Sequence, residues 1–143
     1  MKVGDSFPVD ELGLLESDGP LVVYFYPRAG TPGCTLEARE FNRRYDRLTE
    51  AGVRLVGVSI DPAEANEAFA QECGLEFPLV SDTGGELTSR LGLMKSYGEY
   101  GEMAARMTVL VDENGVVEEV WDVEDIPSNV EEVVERSTRR PSK

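Results

Sequence analysis

Apolar and polar positions alternate along the chain in blocks that read as strands and helices in turn. Residues 21–26, Leu-Val-Val-Tyr-Phe-Tyr, form an unbroken apolar run rich in β-branched and aromatic side chains, and Pro27 ends it, as expected of a buried strand. Over residues 34–51 the apolar positions Leu36, Phe41, Tyr45 and Leu48 recur at helical spacing among charges, and Gly52 follows as a stop. That spacing predicts one helix of about four to five turns. A second apolar run at residues 53–60 completes a strand–helix–strand unit, whose two strands should be parallel. Asp61 and Pro62 predict the cap and first-turn proline of a second helix that ends at Gly74. A short strand is expected at residues 77–80 and a small helix at residues 85–91. Residues 107–111 and 116–123 flank Asp112-Glu-Asn-Gly115, a strong hairpin signal. Ser128 is the expected cap of a closing amphipathic helix that carries Val130, Val133 and Val134 on one face, and the polar tail from Ser137 is expected to fray.

A parallel βαβ unit followed by an antiparallel hairpin and a closing helix is an α/β pattern. A thioredoxin-like fold, a central mixed β-sheet flanked by helices, fits this order of elements. The chain has 143 residues, 41% of them hydrophobic, which is enough for one core. No repeat or linker divides it, so residues 1–143 are read as a single domain.

Charge narrows the possible partners. With 28 Asp and Glu against 14 Lys and Arg the formal charge is −14, which argues against nucleic acid and against anionic membrane. Eleven of the basic residues are Arg and only Lys2, Lys95 and Lys143 are Lys; an acidic, Lys-poor surface suits a salt-rich cytoplasm that screens self-repulsion, or an ordinary acidic protein. Residues 112–135 hold ten acids and no base, read as a solvated face. The longest apolar run is too short to span a bilayer, and residues 1–10 lack the apolar segment of a signal peptide. A cytoplasmic location, with reduced thiols, is therefore expected.

There is no histidine, which removes Ser-His-Asp and Cys-His nucleophile activation and His-ligated zinc. Cys34 and Cys73 lie 39 positions apart, so neither a CxxC redox pair nor a four-thiolate metal site can form. Thiol chemistry must therefore centre on one cysteine. Cys34 is placed in the first turn of the long helix, where unpaired N–H groups and the positive end of the dipole favour an anion such as a thiolate. Arg28, Arg39, Arg43, Arg44 and Arg47 crowd the same stretch, so cationic surroundings are expected to favour the ionised thiol. A capping cysteine that behaves as a small hydrophobe is the plainer alternative.

The spacing Pro27-x-x-x-Thr31-x-x-Cys34 resembles the active-site signature of the peroxiredoxins, and Thr-Pro-Gly-Cys-Thr after Tyr-Phe-Tyr-Pro looks like the peroxiredoxin Q, or bacterioferritin comigratory protein, branch. Arg106-Met-Thr108 resembles the start of the strand that carries that family's active-site arginine; Phe77-Pro-Leu-Val-Ser-Asp82 and Tyr97-Gly98 agree with the same branch. The resemblance implies a thiol peroxidase, without metal or organic cofactor, that reduces hydrogen peroxide and organic hydroperoxides and takes electrons from a thioredoxin-like reductant. It implies that Cys34 is the nucleophile that becomes a sulfenic acid, that Thr31 hydrogen-bonds the peroxide and thiolate, that Arg106 stabilises the developing charge and that Pro27 shields the thiolate. Glu37 looks like the residue that orients the arginine, with an exposed helix carboxylate as its alternative. Arg28 and Arg39 are read as solvated charges, and Tyr24, Tyr26, Phe41 and Trp121 as core or pocket wall.

The chain also departs from that pattern. Many members of the branch carry a resolving cysteine five positions after the nucleophile, which here is Arg39. Others carry it in the helix after the second strand, where Cys73 stands near the C-terminus and Ala70 occupies the position one turn earlier. Cys73 is either that resolving thiol, reached by local unfolding, or a spectator in a one-Cys enzyme. The segment before Leu21 is short for the family, so a β-hairpin there is expected to be lost or reduced. The branch is often monomeric, which suits the −14 charge. A non-enzymatic redox sensor on the same fold and a thiol–disulfide oxidoreductase are the competing functions.

Overall fold

In the computed structural model, which describes residues 1–14 and 19–139, the strand predicted first becomes the centre of the sheet. Leu21–Phe25 (β1) is buried along its whole length because it is covered on both faces. It runs parallel to Arg54–Ser59 (β2), and β2 runs parallel to Leu79–Ser81 (β3). On its other side β1 pairs antiparallel with Met107–Val111 (β6), which pairs antiparallel with Val117–Asp122 (β7). The sheet order is therefore β3-β2-β1-β6-β7, the expected mixed sheet. The β6–β7 turn forms where Asn114-Gly115 predicts it: Asp112 Oδ1 accepts from the Asn114 and Val116 N–H groups, and Gly115 supplies a φ of 80°.

One face of the sheet packs Val22, Tyr24, Tyr26 and Leu110 against helices Pro32–Arg43 (α1), Tyr45–Glu50 (α2), Ala63–Cys73 (α3) and Ile126–Thr138 (α5). The expected stripe Val130, Val133 and Val134 is the buried face of α5. Tyr24, Tyr26 and Phe41 are core, and Trp121 packs against it half-buried. The other face packs Val23, Phe25, Val56, Val58 and Val109 beneath the amino-terminal segment, helix Glu86–Arg90 (α4) and a small antiparallel ribbon, Met94–Ser96 (β4) with Glu102–Ala104 (β5). No hairpin forms among the described residues before β1. Phe7 and Leu12 instead seal that face, with a single bridge from Ser6 to Val116.

Four local expectations are corrected. The helix expected over residues 34–51 is two, because Arg44 interrupts it: its Nη1 donates to the Glu40 carbonyl, the acceptor its own N–H would use in an α-helix, and that N–H turns to Phe41 instead. Asp61 does not cap α3. Pro62 holds the N-cap position without a side-chain bond, and the Asp61 carboxylate is turned to other donors. Asp125, not Ser128, caps α5 and accepts from the Ser128 N–H, so Ser128 is the capped residue. The helix then runs through Ser137, which is fully buried, to Thr138; residues 140–143 of the tail lie outside the described residues.

Gly57 shows how closely this core is filled. It lies opposite Tyr24 in the β1–β2 register, and a Cβ there would sit 2.8 Å from Leu79 Cδ2 and 2.8 Å from Tyr24 Cζ. Gly57→Ala is accordingly expected to destabilise the fold by about 1–3 kcal/mol through overpacking. Urea unfolding of the two proteins checks it, and an unchanged midpoint would contradict the packing described.

Candidate active site

The loop from Tyr26 to Thr31 leaves β1 at its carboxyl end, and α1 begins directly after it. Thr31 is the N-cap, Pro32 opens the helix and Cys34 is its third residue, so the sulfur sits at the positive end of the dipole. Pro32 has no N–H and the Thr35 N–H closes on the Thr31 carbonyl, which leaves the Gly33 and Cys34 amides as the turn's free donors. Cys34 and Glu37, three residues apart, point from one face of α1 into the protein, with 1% and 0% of their surfaces exposed.

Arg106 reaches both. It immediately precedes β6, and because Met107 pairs with Phe25 the antiparallel register delivers Arg106 beside the start of the Tyr26–Thr31 loop. Its Nη1 donates to Glu37 Oε1 at 2.8 Å and its Nη2 donates to Cys34 Sγ at 3.4 Å. Burial works to lower the Arg106 pKa, but the neighbouring Cys34 and Glu37 more than offset it, and the guanidinium stays charged. Burial pushes the Glu37 carboxyl up to about 7, with Arg106 pulling the other way. Glu37 is thus the buried partner of Arg106 and not an exposed helix carboxylate. The approach is close at Gly33, where a Cβ would stand 3.1 Å from Arg106 Nη2, so a larger residue would make the guanidinium give by a few tenths of an ångström.

The cation at the sulfur is therefore Arg106 and not the group of arginines on the same stretch. Arg28 and Arg39 are exposed, while Arg43 and Arg44 pair with Glu40, and Arg44 and Arg47 with Glu131 of α5. The acidic run is likewise only partly a free face, since Glu131, Glu119 and Glu135 each pair with an arginine. Pro27 is half-buried at the start of the loop, and the Thr31 hydroxyl donates to the Arg28 carbonyl at 2.8 Å. Tyr97, the residue after β4, donates to the Ala104 carbonyl; burial raises its pKa, Arg106 opposes the rise and Cys34 adds to it.

Cys73 is the last residue of α3, half-buried and unpaired. The Asn42 side chain donates to the Gly74 carbonyl and accepts from the Glu76 N–H, so it ties this end of α3 to the last turn of α1. Cys34 lies in the first turn, eight residues and about 12 Å away along the helix axis.

Residues 6–120 match the AhpC/TSA family. The chain belongs to that family. Within it the relatives are peroxiredoxins of the Q or bcp type: it is 36% identical over 138 residues to a peroxiredoxin bcp of Coxiella burnetii, covering 92% of this chain and 91% of that one. It is 40% identical over 102 residues to the chloroplastic peroxiredoxin Q of Sedum lineare, covering 71% of this chain and 54% of the plant protein, so it spans about half the length of that relative. Among solved structures, the Xanthomonas campestris bacterioferritin comigratory protein, described for its alkyl peroxide reduction activity, superposes with a TM-score of 0.77 at 31% identity over 84% of this chain and 78% of that one. This peroxiredoxin therefore has the thioredoxin-like fold expected of its element order, and it is an oxidoreductase of the peroxidase class.

Sequence patterning alone did not single out Asp61, whose carboxylate accepts from the Ala29 N–H of the Tyr26–Thr31 loop, or the close approach of Gly33 to Arg106. Asp61 follows the carboxyl end of a central parallel strand, where α/β sheets gather ligand-binding groups, and that position was the available signal.

Because Glu37 rises from 4.5 to about 7 on folding, the folded state holds a proton that the unfolded chain has lost between those pH values. Its contribution to stability therefore falls as pH rises from 4.5 to 7. Glu37→Gln lacks this slope, so its stability relative to the parent should improve between pH 5 and pH 8, by on the order of 3 kcal/mol at most. Paired urea melts across that range check it, and a constant difference would refute the shift.

Proposed function

We propose that Cys34 is the peroxidatic nucleophile of a thiol peroxidase that reduces hydrogen peroxide and organic hydroperoxides, with residues 1–143 acting as one domain. The observation that carries this reading is the Cys34–Arg106–Glu37 arrangement, a buried sulfur 3.4 Å from a guanidinium that a buried carboxylate holds in place. In the reaction the Cys34 thiolate attacks the hydroxyl oxygen of the peroxide. The S–O bond forms as the O–O bond breaks, and the sulfur is oxidised to sulfenic acid while the leaving alkoxide or hydroxide takes a proton from solvent. Arg106, permanently cationic, stabilises first the thiolate and then the charge on the leaving oxygen. Thr31 supports the peroxide as a hydrogen-bond acceptor, Pro27 shields the sulfur and Glu37 holds the guanidinium fork in orientation. The alkyl peroxide reduction of the Xanthomonas relative supports the substrate class.

In this proposal Cys73 resolves the sulfenic acid. A disulfide needs Cα atoms within about 7 Å, and in this reading local unfolding at the end of α3, past the Asn42 bonds, brings the two cysteines together. A thioredoxin-like thiol donor then reduces the Cys34–Cys73 disulfide. No step calls for a metal or organic cofactor, and the Cys34 thiol must start reduced, which fits a cytoplasmic setting. The −14 charge supports a monomer that tolerates a salt-rich interior.

Peptide-mapped mass spectrometry of the reduced protein, in high salt, seconds after one equivalent of hydrogen peroxide, tests both steps. A Cys34–Cys73 disulfide is expected. Sulfenic acid on Cys34 alone would assign a one-Cys enzyme, and an unmodified Cys34 would refute the peroxidase. Cys34→Ser should abolish peroxide consumption, and Arg106→Ala should lose at least about tenfold in the rate of Cys34 oxidation. Full activity in the first, or a smaller loss in the second, contradicts the roles given.

A further inference from the structure

Behind the Tyr26–Thr31 loop lies a buried chain of polar groups at the carboxyl ends of the three parallel strands. Tyr26 donates its hydroxyl to Asn66 Oδ1, and Asn66 Nδ2 donates to Ser59 and Ser81. Ser59 is fully buried and lies 2.8 Å from Asp61 Oδ2, nearer than its 3.2 Å to Asn66 Oδ1, so its one proton goes to the carboxylate. The same Asp61 oxygen accepts from the Ala29 N–H at 2.8 Å. The chain thus starts at Tyr26 and returns to the backbone three residues later, bracketing Pro27 and Arg28.

The Ala29 N–H and the Arg28 carbonyl belong to one peptide group. Asp61 holds its N–H end, and its C=O end accepts the Thr31 hydroxyl at 2.8 Å. A carboxylate on the N–H polarises the amide, strengthens the carbonyl as an acceptor and fixes the peptide plane. The single Thr31 proton is thereby committed to Arg28, and only lone pairs of Oγ1 face outward.

We propose that Asp61 is a positioning residue that fixes the polarity of the Thr31 hydroxyl through the Arg28–Ala29 peptide, so that the site accepts an oxidant carrying a proton on the attacked oxygen, a hydroperoxide. The inference rests on the reading of Thr31 as the peroxide's acceptor. It deepens that reading by naming what sets the acceptor's direction. The O–H that Thr31 holds is the one that stays on sulfur as S–OH, so the contact persists through the reaction. An oxidant without such a proton, a disulfide, gains nothing from it.

A double-mutant cycle between Thr31→Val and Asp61→Ala tests this, read as the single-turnover rate of Cys34 oxidation by hydrogen peroxide and, in parallel, by a small aromatic disulfide, in the Cys73→Ser background. Each single variant is expected to lose about tenfold with peroxide, and Asp61→Ala should lose less than about twofold when Thr31 is already Val. Neither should slow the disulfide reaction. Asp61→Asn keeps an acceptor oxygen for Ala29 and should stay within about threefold of the parent. Where Asp61→Ala lowers the yield of folded protein, the Asn cycle carries the same test with that smaller loss. A loss from Asp61 that is equal in both Thr31 backgrounds, or equal with both oxidants, would assign it a general structural role and overturn the inference. A Thr31→Val variant as fast as the parent would instead overturn the reading of Thr31, and the inference with it.

Discussion

One guanidinium shared between a buried carboxylate and a buried sulfur is the constraint around which this molecule is arranged. Arg106 has two acceptors, and they differ in kind: Glu37 is fixed at 2.8 Å with no surface exposed, whereas the sulfur lies at 3.4 Å. The ion pair adds little to stability, because desolvating Glu37 costs a good part of what the attraction returns. Burial outweighs Arg106 in pushing that carboxyl up to about 7, and Glu37 Oε2 has no hydrogen-bond partner among the described residues. A pair so incompletely compensated makes sense as a means of direction. With Glu37 holding one arm of the planar fork, the other arm is aimed at the sulfur.

The fold can be read as the support this pair requires. Cys34 and Glu37 share a face of α1 because they are three residues apart, and α1 is placed by β1, which is buried on both faces. Arg106 comes from a chain position 72 residues after Cys34, brought there by the antiparallel β1–β6 ladder. Gly33 leaves the guanidinium room at its closest approach to α1. On the opposite side of the loop a second carboxylate, Asp61, fixes the backbone between β1 and α1. One side of the site is thus set by an ion pair and the other by a hydrogen-bonded peptide, and the sulfur is held between them.

Much of this was legible before the structure. The run at residues 21–26, the Asn114-Gly115 turn and the valine stripe of the last helix follow from local rules, because in each case burial agrees with local preference. The spacing of Cys34 to Pro27 and Thr31 singled it out as the candidate nucleophile through the family resemblance. Glu37 and Arg106 are 69 residues apart, and no periodicity connects them; only the family resemblance did. Where sequence reasoning failed, another partner had displaced the expected one, tertiary in one case and local in another. Asp61 before Pro62 has the form of a cap, yet its carboxylate serves Ala29 and Ser59. Ser128 has the form of a cap as well, but Asp125 precedes it and caps the helix. The β4–β5 ribbon was invisible because residues 94–104 hold no β-branched residue and are interrupted by Gly98 and Gly101, with no alternation to mark a strand.

The arginines show why counting charges along a chain says less than locating them. Five of them near Cys34 suggested a diffuse cationic field, but Arg43, Arg44 and Arg47 lie at or just past the C-terminal end of α1 and are engaged by Glu40 and Glu131. Arg44 does most there: it takes the Glu40 carbonyl, ends α1 and bonds Glu131 on α5 at 2.6 Å. Its effect on the site is mechanical. Bracing the C-terminal end of α1 against α5 steadies the helix whose first turn carries the sulfur, while Asn42, one turn from that brace, holds the end of α3. The two ends of the paired helices are thus held differently: ion pairs brace the end of α1 against α5, whereas the chain just beyond Cys73 meets α1 through two exposed hydrogen bonds with the Asn42 side chain.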